Sequence, residues 1–103
     1  MTEEQKKKCE EIINSMTALC SLSPHLLESK SNHIVFAILL AKEVFNKDIT
    51  EEEAEKNLGH GGIWIRSSLV SFIQIKNIFW ETADRLDTYF NEFKNNSIKE
   101  HKL

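Results

Sequence analysis

GIWIRSSLVSFIQIKNIFWETADRLDTYFNEFKN, running from Gly62 to Asn95, decides the fold. Within it Ile65, Leu69, Phe72, Lys76, Phe79, Ala83, Leu86, Phe90 and Phe93 recur at alternating steps of four and three. All but Lys76 are apolar, so one face of a helix carries a nearly unbroken hydrophobic seam. Ile73 and Trp80 widen it on one flank. A helix over all of 63–95 would be roughly 50 Å long, whereas a globule of this size is about 34 Å across. The spacing therefore predicts a helix that starts late, near Ser67 or Ser68, or bends, with Lys76 as the candidate break, or projects from the body. The β-branched residues between Leu69 and Ile75 make a strand the competing reading.

Working outward, Gly59-His60-Gly61-Gly62 is the chain's flexible joint and reads as a hinge. Before it, Thr50 and Glu53 have the spacing of a capping box, and Glu51, Glu52 and Glu53 fill a first turn where the helix dipole favours anions. Ile49 and Ala54 stand where a hydrophobic staple would. A short helix over 51–58 is expected, with Gly59 as its stop. Residues 33–46 leave almost no polar face between Ile34 and Phe45, so that helix, capped by Ser31 or Asn32, belongs at the centre of the domain. Ser23 and Pro24 open a turn of helix through 25–28. Thr2 and Gln5 form a further capping box, and Cys9, Ile12, Ile13, Met16, Leu19 and Cys20 recur at helical spacing, which gives a first helix over 3–20. The expected fold is all-α, a small four-helix bundle with a long C-terminal helix as its spine. Residues 1–95 make a single helical domain, and 96–103, without periodicity, a frayed C-terminal tail.

Composition narrows the function. With 103 residues, 41% of them apolar, the chain can hold one core and is not of disordered composition. Its net charge is −3 and Arg66 and Arg85 are its only arginines, so nucleic acid is not the expected partner. Lys6, Lys7 and Lys8 are countered by Glu3, Glu4, Glu10 and Glu11 and read as a solvated face. Cys9 and Cys20 fall on one helix face about 16 Å apart, too far for a bond. Buried reduced thiols suit a cytoplasmic protein. Met1 to Lys6 is too charged for a signal peptide, and the longest apolar run, Ile34 to Ala41, is too short to span a bilayer.

No catalytic or metal motif is present. His25, His33, His60 and His101 stand at no ligand spacing to another His or Cys and read as surface or cap histidines. The glycine joint lacks the Lys-Ser/Thr of a phosphate loop and the serine of an oxyanion loop. Glu81, Asp84 and Asp87 follow at intervals of three, but nothing opposite them completes a metal site or an acid–base pair, and Arg85 among them points to solvated helix charges. No cofactor is expected. Two features invite a binding reading instead. Trp64, Ile75 and Ile78 lie off the seam, where a neighbouring helix covers them or a partner does. Acid gathers at Glu51, Glu52, Glu53 and Glu55 and again at Glu81, Asp84 and Asp87, which suits docking to a basic protein. The candidate partner-binding residues are these seven acids and Trp64.

In size, acidity, helicity and Lys/Asn/Ile/Glu-rich composition, the whole chain resembles small bacterial immunity proteins, the helical partners of colicin-type and contact-dependent growth inhibition toxins. The resemblance is one of profile, so no family residue is carried over. It implies a non-enzymatic cytoplasmic protein that covers the active site of a cognate protein toxin, often a nuclease with a basic groove, with acidic side chains in place of phosphate. The alternative is a helical oligomerisation or regulatory module, of the kind phages encode, whose sticky surface is the seam itself and which closes it by forming a homo-oligomer.

Overall fold

A computed structural model of the protein describes residues 1–59 and 71–101, with side chains through residue 92. These residues form an all-α bundle: α1 (Glu3–Leu22), a 3₁₀ turn (Pro24–Glu28), α2 (Lys30–Phe45), α3 (Glu51–Lys56) and α4 (Phe72–His101), with no strand among the described residues. Trp64, the seam positions Ile65 and Leu69, and the hinge residues His60 to Gly62 lie outside the described residues.

Local chemistry sets the helix starts. Thr2 and Thr50 each accept a hydrogen bond from the backbone N–H three residues on, while Gln5 and Glu53 reach back to the cap N–H, completing both capping boxes. A third box opens α4: Ser71 accepts from Gln74 N at 3.3 Å, and Gln74 Oε1 accepts from Ser71 N at 2.7 Å. The long helix thus starts at Phe72, later than the expected Ser67 or Ser68, and α4 runs unbroken through Lys76 and past residue 95 to His101. The cap of α2 is Ser29, not Ser31 or Asn32; its hydroxyl accepts from Asn32 N because the 3₁₀ turn brings the chain in extended at that residue. Asn46 closes α2 in the left-handed conformation.

Nor is Gly59 the stop of α3. That helix ends at Lys56 with Asn57 as its cap, and Gly59 serves close packing instead. Gly59 N donates to Thr82 Oγ1 on α4 at 3.1 Å, and a Cβ on Gly59 would stand 3.0 Å from the Ile78 carbonyl oxygen. Thr82 Oγ1 in turn donates to the Ile78 oxygen, so one buried hydroxyl ties the exit of α3 to α4.

The core lies between α1, α2 and α4. Cys9, Ile13, Met16 and Cys20 from α1 meet Phe36, Leu40, Ala41 and Val44 from α2 and Ile75, Phe79, Ala83 and Leu86 from α4. Phe36 meets Phe79 edge-on, with ring centroids 5.2 Å apart. Helix α2 touches α1, α3, α4 and the 3₁₀ turn, which is why it has so little polar surface. Ala54 and Leu58 form a smaller cluster against Ala37, with Ile49 beside it.

Among the described residues the seam is buried at Phe79, Ala83 and Leu86, and of its expected flank Trp80 packs partly buried against the core while Ile73 does not. Ile75 and Ile78 are buried, covered within the chain, whereas Ile73 is 70% exposed. At about 100° per residue, Ile73 lies roughly 120° from Phe79, outside the buried arc. Phe72, on the core-side azimuth, is still 54% exposed, so packing begins only at Ile75. His33 also departs from the surface or cap role. It is buried, its Nε2–H donates to the Leu27 oxygen at 2.8 Å, and its ring meets Phe36. Cys9 and Cys20 are buried free thiols; burial, helped for Cys9 by the charge of Asp84, pushes them to about 12 and about 11.

Helix α4 would be about 45 Å long at the usual rise, close to the long dimension of the protein, 52 × 26 × 18 Å. The spine therefore starts late and runs nearly the length of the protein. No described helix is long and apolar enough to cross a membrane.

Candidate functional site

With Phe79, Ala83 and Leu86 turned into the core, the opposite face of α4 carries Asn77, Trp80, Glu81, Asp84, Arg85, Thr88 and Glu92 at helical spacing. Asn57 from the end of α3 and Tyr89 on the flank complete an open groove of about 540 Å³. Trp80 is half-buried, and Trp80 and Asp84 also line a second groove, where α1 contributes Glu3, Lys6, Lys7 and Glu10. They therefore form a ridge between the two.

Tyr89 and Glu53 hold the α3 side of this face. The Tyr89 hydroxyl donates to Glu53 Oε2 at 2.6 Å, while Glu53 Oε1 accepts from Thr50 N. The bond from Tyr89, then those from Thr50, hold the Glu53 carboxyl below its ordinary range, and the same bond raises the Tyr89 phenol. Asn57 Nδ2 donates to the Glu53 backbone carbonyl at 2.8 Å, which fixes the end of α3 at the rim.

The fold gathers some of the expected site residues and separates others. Glu81 and Asp84 share the α4 groove, and Glu53 reaches its rim through Tyr89. Glu81 accepts from Arg85 at 3.5 Å, one helical turn on. Asp84 is exposed and its carboxylate makes no ion pair among the described residues. Asp87 turns the other way and pairs with the Met1 amino group at 3.1 Å. Asp87 and Glu53 line a separate groove of about 690 Å³ together with Phe45, Ile49 and Phe90. Glu55 pairs with Lys30 of α2, and Glu52 with Lys56 at 3.7 Å. Glu51 is exposed in the first turn of α3. Trp64 cannot be placed, being outside the described residues.

Two contributors did not stand out in the sequence. Trp80 reads there as a flank of the seam, and its i, i+4 relation to Asp84 is the signal that sets it on a charged face. Tyr89 gave no signal, because its partner lies 36 positions away and the pairing depends on how α3 and α4 face each other. Chemically, the groove offers carboxylates beside aromatic faces, a combination that attracts cations and flat side chains. Among the described residues no three His, Cys, Asp or Glu side chains converge as a metal-binding group. No family model matches the chain, and neither does any curated protein or solved structure with which it was compared.

Proposed function

We propose that this is a non-enzymatic binding protein, an immunity protein that neutralises a cognate protein toxin, a basic nuclease, by covering its active site with an acidic face. The observation that carries the reading is the outer face of α4, where half-buried Trp80 stands among Glu81, Asp84 and Glu92, with Arg85 the one cation among the described residues that line it. Aromatic anchors inside a charged rim are the usual anatomy of a tight protein interface. An excess of carboxylates complements a groove built to hold phosphates and speeds encounter with it. The profile resemblance to immunity proteins supports the same reading.

The test is coexpression with the product of the adjacent gene. An immunity protein protects the cell, forms a complex with the purified toxin, abolishes its nuclease activity, and shows an on-rate that falls with salt. Failure to protect, or turnover of a substrate by this chain alone, refutes the reading.

A second reading has its own observation. Leu22, Val35, Phe72 and Ile73 are each more than half exposed. A helical oligomerisation module would use such surface, although not the seam from Phe79 to Leu86, which α1 and α2 already cover. A doubled mass in solution without any partner would select it.

A further inference from the structure

The two grooves beside the Trp80–Asp84 ridge differ in charge. On the α1 side, Lys6, Lys7 and the Met1 amino group stand with Glu3, Glu10 and the shared Asp84, three of each sign. On the Asn57 side, among the described residues, Glu81, Asp84 and Glu92 face Arg85, which is held by Glu81. Among the described residues the Trp80 indole N–H makes no hydrogen bond and the Asp84 carboxylate no ion pair. The Trp80 ring and the Asp84 carboxylate border both grooves, and among the described lining residues only the groove on the Asn57 side carries an excess of acid.

We propose that the groove on the Asn57 side receives an arginine side chain of the protein partner, its guanidinium laid against Trp80 and paired with Asp84. This rests on the binding reading above and names the chemistry the partner brings. Arginine fits better than lysine because a guanidinium is planar, stacks on an indole and is weakly hydrated, whereas an ammonium is a compact, strongly hydrated charge. Entry from the α1 side is disfavoured by Lys6 and Lys7. A second copy of this chain is the competing occupant.

The experiment uses a short arginine peptide as the probe, in a Trp64→Phe background that leaves Trp80 the sole indole. Tetra-arginine quenches or shifts Trp80 emission saturably, tetra-lysine binds more weakly, and the uncharged citrulline peptide gives no response. Asp84→Asn weakens the arginine peptide by about threefold to tenfold, the range for an exposed ion pair joined to a cation–π contact. Glu10→Gln, on the other groove, leaves it unchanged. Raising salt from about 50 to about 500 mM weakens binding to the unaltered groove, a readout independent of any Asp84 variant. An equal response to citrulline, indifference to Asp84→Asn or to salt, or an emission change on merely concentrating the chain overturns the proposal. The two readings fail separately. If Asp84→Asn neutralises the toxin as well as the original chain, the arginine site is wrong and the immunity reading stands. If the peptide binds at Trp80 and the chain protects against no toxin, only the immunity reading falls.

Discussion

Phe72 and Phe79 occupy equivalent places in the seam, one heptad apart, so spacing alone would assign them the same cost when removed. The structure separates them. Phe79 is 2% exposed, wedged between α1 and α2 with its ring edge-on to Phe36, whereas Phe72 is 54% exposed in the first turn of α4. Phe79→Ala removes a fully buried ring and leaves a cavity that rigid neighbours only partly close, which costs about 3–5 kcal/mol. Phe72→Ala removes a ring that water already reaches and costs about 1 kcal/mol or less. A small domain is stable by only about 5–15 kcal/mol, so Phe79→Ala consumes a large part of the total. Urea unfolding followed by far-UV circular dichroism reads this directly. With a slope of about 1–3 kcal/mol per molar, the Phe79→Ala midpoint falls by about 2 M and the Phe72→Ala midpoint by a few tenths. Equal shifts would mean that α4 packs in another register, and the assignment of its outer face, with Trp80 and Asp84 on it, would go too.

Three further predictions follow from individual contacts. Gly59→Ala sets a Cβ at 3.0 Å from a helix carbonyl that has no room to retreat, and should destabilise by about 1–3 kcal/mol; a stability equal to the parent would show that the approach to Ile78 is not close in solution. The folded carboxyl of Glu53 is held below its unfolded value, so its bonds add stability above that unfolded value, and the gain is lost as pH falls through the folded one. The Tyr89 phenol is raised, so its share is present below the ordinary tyrosine value and vanishes as pH rises through the folded one; NMR titration of Tyr89→Phe should move Glu53 up towards the ordinary range, and an unmoved Glu53 would dissociate the pair. Cys9 and Cys20, pushed to about 12 and about 11 by burial, should resist a disulfide thiol reagent at pH 8 in the folded protein and both react in denaturant; fast native reaction would contradict their burial.

What the sequence revealed was local. The boxes at Thr2 and Thr50 formed as their spacing indicates, because cap and partner sit three residues apart and need no tertiary contact. The box at Ser71 has the same pattern with Gln74, yet the expected start near Ser67 or Ser68 rests on length, a global quantity that says how far a helix reaches and not where its first N–H groups find acceptors. The centrality of α2 was legible in its missing polar face. The burial of His33 was not, since the carbonyl that satisfies its ring belongs to the 3₁₀ turn before the helix.

The candidate site marks the same boundary more sharply. Counting acids along the chain gives the charge of a surface but not the share of it left for a partner, since that share depends on which carboxylates the fold neutralises. Here Lys56 answers Glu52, Tyr89 and Thr50 answer Glu53, Lys30 answers Glu55, Arg85 answers Glu81, and the Met1 amino group answers Asp87. Several of those bonds cross between helices and follow from their rotation about their axes, which no spacing within one helix encodes. Of the seven acids expected to grip a partner, Glu51 and Asp84 keep carboxylates without an internal partner among the described residues, and only Asp84 stands beside an aromatic face. A partner that reads this surface by charge therefore gains most at Asp84. Reversing the exposed Glu51 and Glu52 together should weaken association chiefly through long-range attraction and so change the on-rate. Asp84→Asn should act on the off-rate, because it removes a contact and not merely a field.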